Sequence, residues 1–276
     1  MKKVIVVTGA SSGIGKAAAL QFIQEGHTVY GVARRVEKMQ DLVEAGGHAM
    51  KMDVTEHEQV HTVISDIIAR EGKVDVLVNN AGYAVYGPVE EISYEQAKRQ
   101  FEVNLFGLAE VTKAVIPTMR QQRSGTIINV SSVGGKIYSP LGAWYHATKH
   151  ALEGWSDCLR LELAEFGIDV VIVEPGAIKT EFGDAMDQQF GSTENSHYAS
   201  LKKAMEQAIE HTYASGNFSE PEVIADTLSK VVRSNKPKTR YAAGKMANLS
   251  LRMRRLVSDR MFDNMVMRMV SQRAKA

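Results

Sequence analysis

Tyr145 and Lys149 stand four positions apart in a segment of helical composition, so both side chains fall on one helix face, a turn apart. A tyrosine hydroxyl ordinarily titrates near a pKa of ~10, too high for ready proton exchange at neutral pH. An ammonium ~5 Å away, at an effective dielectric of ~20, favours the phenolate by roughly 3 kcal/mol, or about two pH units. The pair is therefore expected to form an acid–base catalyst working near neutral pH. Most Tyr/Lys pairs at this spacing are surface packing, so the reading depends on what surrounds this one.

A second chemical feature lies near the start of the chain. Thr8-Gly9-Ala10-Ser11-Ser12-Gly13-Ile14-Gly15 follows an apolar run and opens a helix-like segment. Backbone N–H groups and a helix N-terminus presented by such a turn suit a diphosphate. Gly9 permits the tight turn, Gly13 lets the backbone approach phosphates, and Gly15 allows close helix–sheet packing. After the next apolar run the sequence reads Val32-Ala33-Arg34-Arg35. An NAD site normally places an acid there for the ribose 2′-hydroxyl; here two guanidinium groups stand instead, which favours a 2′-phosphate and hence NADP(H). Asp53 ends the third apolar run, where its carboxylate could meet an adenine amino group or cap the helix that starts near Glu56. Asn79-Asn80-Ala81-Gly82 ends the fourth, and suits either backbone running beside a cofactor or a plain Asx turn.

The elements that must position these residues are legible as periodicity. Continuously apolar runs at residues 4–7, 28–33, 48–52, 74–78, 126–130 and 169–173 read as strands covered on both faces. Helical segments are expected at residues 15–25, 56–70, 94–120, 143–166 and 201–211. Ser219-Glu220-Pro221-Glu222 reads as a further helix start with Ser219 as its cap; residues 239–243 suggest a last strand. Such alternation predicts an α/β, Rossmann-type doubly wound sheet with helices on both faces. The length of 276 residues suits one domain rather than two. Lys+Arg 33 against Asp+Glu 32 leaves a formal charge of +1, which gives no reason to expect nucleic acid as a partner. Cys158 is the only cysteine, so no disulfide forms within the chain, and a reducing, cytoplasmic setting is expected. The opening apolar run is too short for a signal peptide, and no run approaches a membrane span.

Taken in order, these motifs resemble those of the short-chain dehydrogenase/reductase family, in its compact single-domain subclass. The matching elements are the glycine turn from Thr8 to Gly15, Asn79 to Gly82, Asn104, Ser132, Tyr145 with Lys149, and Pro175-Gly176. The resemblance implies a mostly parallel, seven-stranded sheet. It implies that Tyr145 exchanges the substrate oxygen's proton and that Lys149 lowers its pKa and contacts the nicotinamide ribose. It further implies that Ser132 orients the carbonyl and that Asn104 holds a water in a proton relay. Contacts with NADP(H) are carried onto Thr8, Gly9, Ser11, Ser12, Gly13, Ile14, Gly15, Arg34, Arg35, Asp53, Val54, Asn80, Ala81, Gly82, Tyr145, Lys149, Pro175, Gly176, Ile178 and Thr180. A small-molecule carbonyl or alcohol substrate and a homo-oligomer, dimer or tetramer, are implied as well.

On the substrate side, Tyr83, Val85, Tyr86, Ile137, Tyr138, Leu141, Trp144, Phe182, Met186 and Phe190 are candidate lining, which suits an apolar or ring-bearing carbonyl. The C-terminal part, with Arg240-Tyr241 before a Met- and Arg-rich segment, resembles hydroxysteroid and retinol dehydrogenases, which implies a steroid- or retinoid-like ketone. The residues from Met246 onward are helical in composition and rich in arginine and methionine. They are expected to pack on the body or on a second subunit rather than to lie on a membrane, since Asp259 and Asp263 stand among the arginines. Two rival readings are a 3-ketoacyl thioester reductase and a non-catalytic sensor of NADP(H).

Overall fold

The computed structural model describes residues 1–179 and 195–273. Thr180, Phe182, Met186 and Phe190 lie outside the described residues.

The frame is a seven-stranded sheet of β1 (Val4–Thr8), β2 (Thr28–Ala33), β3 (His48–Lys51), β4 (Val76–Asn79), β5 (Gly125–Val130), β6 (Ile168–Pro175) and β7 (Arg240–Ala243), in the order β3-β2-β1-β4-β5-β6-β7. Every strand pair is parallel, where the family resemblance implied mostly parallel. Parallel neighbours need crossovers, and these are helices: α1 (Gly13–Gln24), α2 (Gln40–Glu44), α3 (His57–Glu71), α4 (Tyr94–Phe101), α5 (Leu108–Gln122), α6 (Ala143–Leu163), α7 (Ala199–Ala214) and α8 (Glu222–Arg233). Beyond β7 come α9 (Ala247–Leu256) and α10 (Asp259–Arg273).

Alternation along β1 sends successive side chains to opposite faces, and each face meets its own helices. Ile5 and Val7 pack with Ala18, Ala19 and Phe22 of α1 and with Ile224, Leu228 and Val231 of α8. Val4 and Val6 pack with Val60 and Ile64 of α3, Val111 and Val115 of α5, and Leu159 and Leu163 of α6. Two apolar layers around one sheet explain why the strands read as unbroken apolar runs rather than as alternating ones.

The segment from Val36 to Glu44, where the apolar pattern suggested no element, forms a 3-10 turn and α2. Three local expectations differ from the fold. The long helix expected from Tyr94 is broken in register: α4 passes into a π-helical segment, Glu102–Gly107, before α5. Ser219 does not cap α8. Its Oγ accepts the Lys245 N–H at 2.9 Å, and the helix begins at Glu222 with Pro221 at its N-cap position and no side-chain cap. Asp53 does not cap α3 either; its Oδ1 accepts Thr55 N–H at 3.0 Å and Thr55 Oγ1–H at 2.8 Å, closing an Asx turn one step earlier. No described helix is long and apolar enough to cross a membrane.

Candidate active site

The carboxyl ends of β1, β4 and β5 converge on one crevice, between strands that are neighbours in space but distant in sequence. The turn after β1 carries Gly9 at φ 69° and Gly13 at φ 52°, left-handed conformations that glycine adopts without strain. A Cβ on Gly15 would run into the Gly9 carbonyl oxygen and Asn80 Nδ2, so α1 starts in direct contact with the turn. The turn is also pinned from the side: Thr8 Oγ1 accepts the N–H groups of Asn80 and Ala81, both at 3.0 Å, and Asn80 Nδ2 donates to Thr8 O at 3.1 Å. These bonds give Thr8 and Asn80 a joint task, to lock the ends of β1 and β4 together. Asn79 faces the interior instead, donating to Thr112 Oγ1 and Asn129 Oδ1 at 2.9 Å each.

The first turn of α1 holds no acidic residue, and the Ser12 side chain makes no capping bond. Ser12 Oγ accepts instead from Arg35 at 3.3 Å. The turn thus brings uncapped helical N–H groups and a guanidinium to one place, beside a cleft of about 880 Å³ lined by Ser11, Ser12, Gly13 and Lys16 on one side and by Glu37, Asp41, Glu44, Glu220 and Glu222 farther out. That donor set fits a dinucleotide diphosphate with a further phosphate. Ser11 is buried, and Ile14 packs against the sheet. Arg34 is exposed. Asp53 is held below the usual carboxylate range by its bonds from Thr55 and by the charges of Arg99 and Arg34, which outweigh its burial; Arg99 meets its Oδ2 at 3.2 Å. Val54 is buried, and its carbonyl lies against Gly107 in the π segment. Across the crevice, β6 ends at Pro175, Gly176 donates to Ala243 O at 2.8 Å, and Ile178 bridges to Ser219.

Tyr145 and Lys149 sit in the first turns of α6, both buried. Ser132 follows β5 in extended backbone, and its Oγ accepts Gly134 N–H at 3.0 Å. Its hydroxyl reaches Tyr145: burial pushes the phenol up to about 12, and the hydrogen bond from Ser132 works against that rise. Lys149 Nζ donates to Val130 O at 2.9 Å, and burial lowers the ammonium to about 8 against the opposing charge of Glu153. Among the protein's own groups, desolvation of the tyrosine dominates, and the lowering partner is Ser132.

Asn104 lies buried in the π segment. Its Oδ1 accepts Tyr83 N–H at 3.1 Å, while Nδ2 donates to Tyr83 O at 2.9 Å and to Thr148 Oγ1 at 3.2 Å. Gly82 sits flush against it, a Cβ there falling 3.2 Å from Oδ1. Asn104 therefore clamps the segment after β4 and ties it to α6. Gln100, absent from the sequence reading, extends the clamp by accepting Val85 N–H at 2.7 Å. Also absent from it were Arg99, His146 and Glu153, none of which belongs to a recognisable motif. Tyr145 packs in an apolar cluster with Ala84, Tyr86, Leu141, Met205 of α7 and Val270 of α10; the Tyr86 ring centroid is 5.6 Å away. Tyr138 is held away from this cluster by the C-terminal helices, donating to Asp263 Oδ1 at 3.0 Å with Arg254 over its ring at 5.5 Å.

The short chain dehydrogenase family model matches residues 3–191. The chain belongs to that family. A 3-ketodihydrosphingosine reductase of Bacteroides thetaiotaomicron is 35% identical over 251 residues, 90% of each chain. The crystal structure of a short-chain dehydrogenase from Streptomyces avermitilis superposes with a TM-score of 0.81 at 38% identity, over 92% of each chain. An actinorhodin polyketide ketoreductase solved with NADPH gives a TM-score of 0.75 at 30% identity, over 87% of this chain and 94% of that one. Members of this family are oxidoreductases, and the parallel sheet with helices on both faces is the architecture shared with these relatives.

Proposed function

We propose that this oxidoreductase uses NADP(H) to interconvert a ketone and a secondary alcohol, with Tyr145 as the acid–base group. The observation that carries the reading is the placement of Tyr145 and Lys149, both buried, in the first turns of α6, with Ser132 just past the end of β5 as the side chain that lowers the phenol's pKa. A phenol and a second hydroxyl acting together are what gripping and protonating a carbonyl oxygen requires. A protonated phenol can give its proton to the carbonyl oxygen as it becomes an alkoxide, which suits the reducing direction. Ser132 orients the carbonyl oxygen. Lys149 presents positive charge on the same helix face, and Asn104 fixes the backbone beside them. The nicotinamide, when bound, supplies or accepts the hydride.

NADP(H) rather than NAD(H) is supported by the two arginines after β2, one already bonded to Ser12, and by the polyketide ketoreductase solved with NADPH. A lipophilic substrate is supported by the apolar company of Tyr145 and by the reductase of Bacteroides thetaiotaomicron named for a ketone on a long-chain base.

The test is consumption of NADPH and NADH against ketosteroids, long-chain ketones and 3-ketoacyl thioesters. NADPH oxidation with a lipophilic ketone is expected, with Tyr145→Phe losing ~10³-fold or more in kcat while keeping its NADPH affinity. An NADH preference, or a Tyr145→Phe variant with most of its activity, would overturn the reading. Turnover of thioesters alone would move the substrate class.

A further inference from the structure

We propose that His146 is a positioning residue of this reaction: a neutral imidazole, protonated at Nδ1, that fastens the segment from Ser132 to Gly142 to the helix bearing Tyr145. The proposal rests on the carbonyl–alcohol reading above. Its geometry fixes the tautomer. His146 Nε2 meets the Ser139 N–H at 3.1 Å and Ser139 Oγ at 3.1 Å. A backbone amide only donates, so Nε2 carries a lone pair and Nδ1 the proton. Nδ1–H then donates to Gly134 O at 2.9 Å. Gly134 N–H donates in turn to Ser132 Oγ at 3.0 Å. One chain of bonds therefore runs from Ser139 through the ring to Gly134 and Ser132, the side chain that acts on the phenol.

The segment needs such a fastening. Leu141 stands at φ 63°, a left-handed conformation that a branched side chain resists. Two of the segment's three glycines lie flush on the ring: a Cβ on Gly134 would fall 3.0 Å from Nδ1, and one on Gly142 2.7 Å from Cδ2. The groups facing the ring are Tyr145, its ring 5.5 Å away, His150, whose Nδ1 meets the His146 carbonyl at 2.9 Å, and Tyr86 beside Gly142. Among the described residues no carboxylate forms an ion pair with His146. Burial lowers its pKa, and the charge of His150 adds to this against the Gly134 bond. Protonation would remove the Nε2 lone pair and with it the bond from the Ser139 N–H.

The ring nitrogens of His146 in ¹⁵N-labelled full-length protein decide the tautomer without any substrate. A protonated Nδ1 and a bare Nε2 are expected from about pH 8 down to about pH 6. A proton on Nε2, or free titration near the ordinary ~6.5, would overturn the proposal. The kinetic arm uses NADPH and a ketone turned over by the wild type. His146→Ala is expected to lower kcat about tenfold or more, with NADPH affinity within about twofold. His146→Asn keeps a donor where Nδ1 stood but cannot reach Ser139; it should recover most of kcat and retain a raised KM for the ketone. Equal kcat in the two variants, or unchanged kcat in His146→Ala, sinks the positioning role. A wild type that turns over no ketone sinks the functional reading, while the ring spectrum still decides the clamp.

Discussion

Lys149 is buried to the same degree as Tyr145, yet the two groups respond oppositely, because burial penalises whichever form is charged. For the lysine the charged form is the protonated one, so its pKa falls to about 8. An unfolded lysine titrates near ~10.4, and between these values the unfolded chain binds more protons than the folded one. Stability owed to this residue therefore rises with pH across that window. Compared with Lys149→Met, the wild type should gain up to roughly 3 kcal/mol as pH goes from about 8 to beyond 10. Urea denaturation of both proteins across that range measures it, and a flat difference would contradict the buried ammonium. The residue types at this centre were legible because their spacing is fixed by one helix turn. Their electrostatics were not, since the size of a desolvation effect depends on what Ala84, Leu141, Met205 and Val270 cover, and none of these is near Tyr145 in sequence. Asp53 shows the same limit: its residue type suited a cap, but Thr55 stands nearer and takes the carboxylate.

At the scale of elements, the turn after β1 works only because α1 touches it. Gly15→Ala would gain helix propensity worth ~1 kcal/mol, yet its methyl would meet a backbone oxygen that cannot step aside. A net loss of ~2 kcal/mol is expected, read from the urea midpoint, together with weaker NADPH binding. Strands and crossover helices were readable from apolar periodicity, and six strand positions agree with the fold to within two residues. The π segment was not, because its composition is that of any helix. The segment ends in close packing at Gly107, where a Cβ would fall 2.7 Å from the Val54 carbonyl. Within it, Asn104 is turned inward to Tyr83. The short helix after β2 escaped for a different reason: of its five residues only Leu42 is buried, too little for a period to show.

At the scale of the molecule, the last strand is tied to the catalytic helix by charge. Arg240 of β7 meets the buried Glu153 at 3.1 Å and Asp157 at 2.6 Å, and Lys136 reaches the same Glu153 carboxylate at 3.1 Å. Arg240→Met would leave a buried carboxylate short of a partner, at a cost of ~3 kcal/mol. Adding Glu153→Met should restore much of that, because removing both charges removes the desolvation burden. Denaturation midpoints of the two single variants and the double variant test the coupling; additive losses would refute it. The Arg240 pairs, and the packing of Val270 of α10 with Met205 of α7 beside Tyr145, join residues more than fifty positions apart, which no local pattern discloses.

An architecture in which all six strand pairings are parallel has a kinetic corollary. Not one pair can zip up as a hairpin; each needs a crossover to be in place first, so chain closure precedes reward at every step. A refolding chain passes through partial sheets with open edges, where neighbouring molecules compete for the same hydrogen bonds. Yield on dilution from denaturant should therefore fall as concentration rises, even where the finished protein is stable.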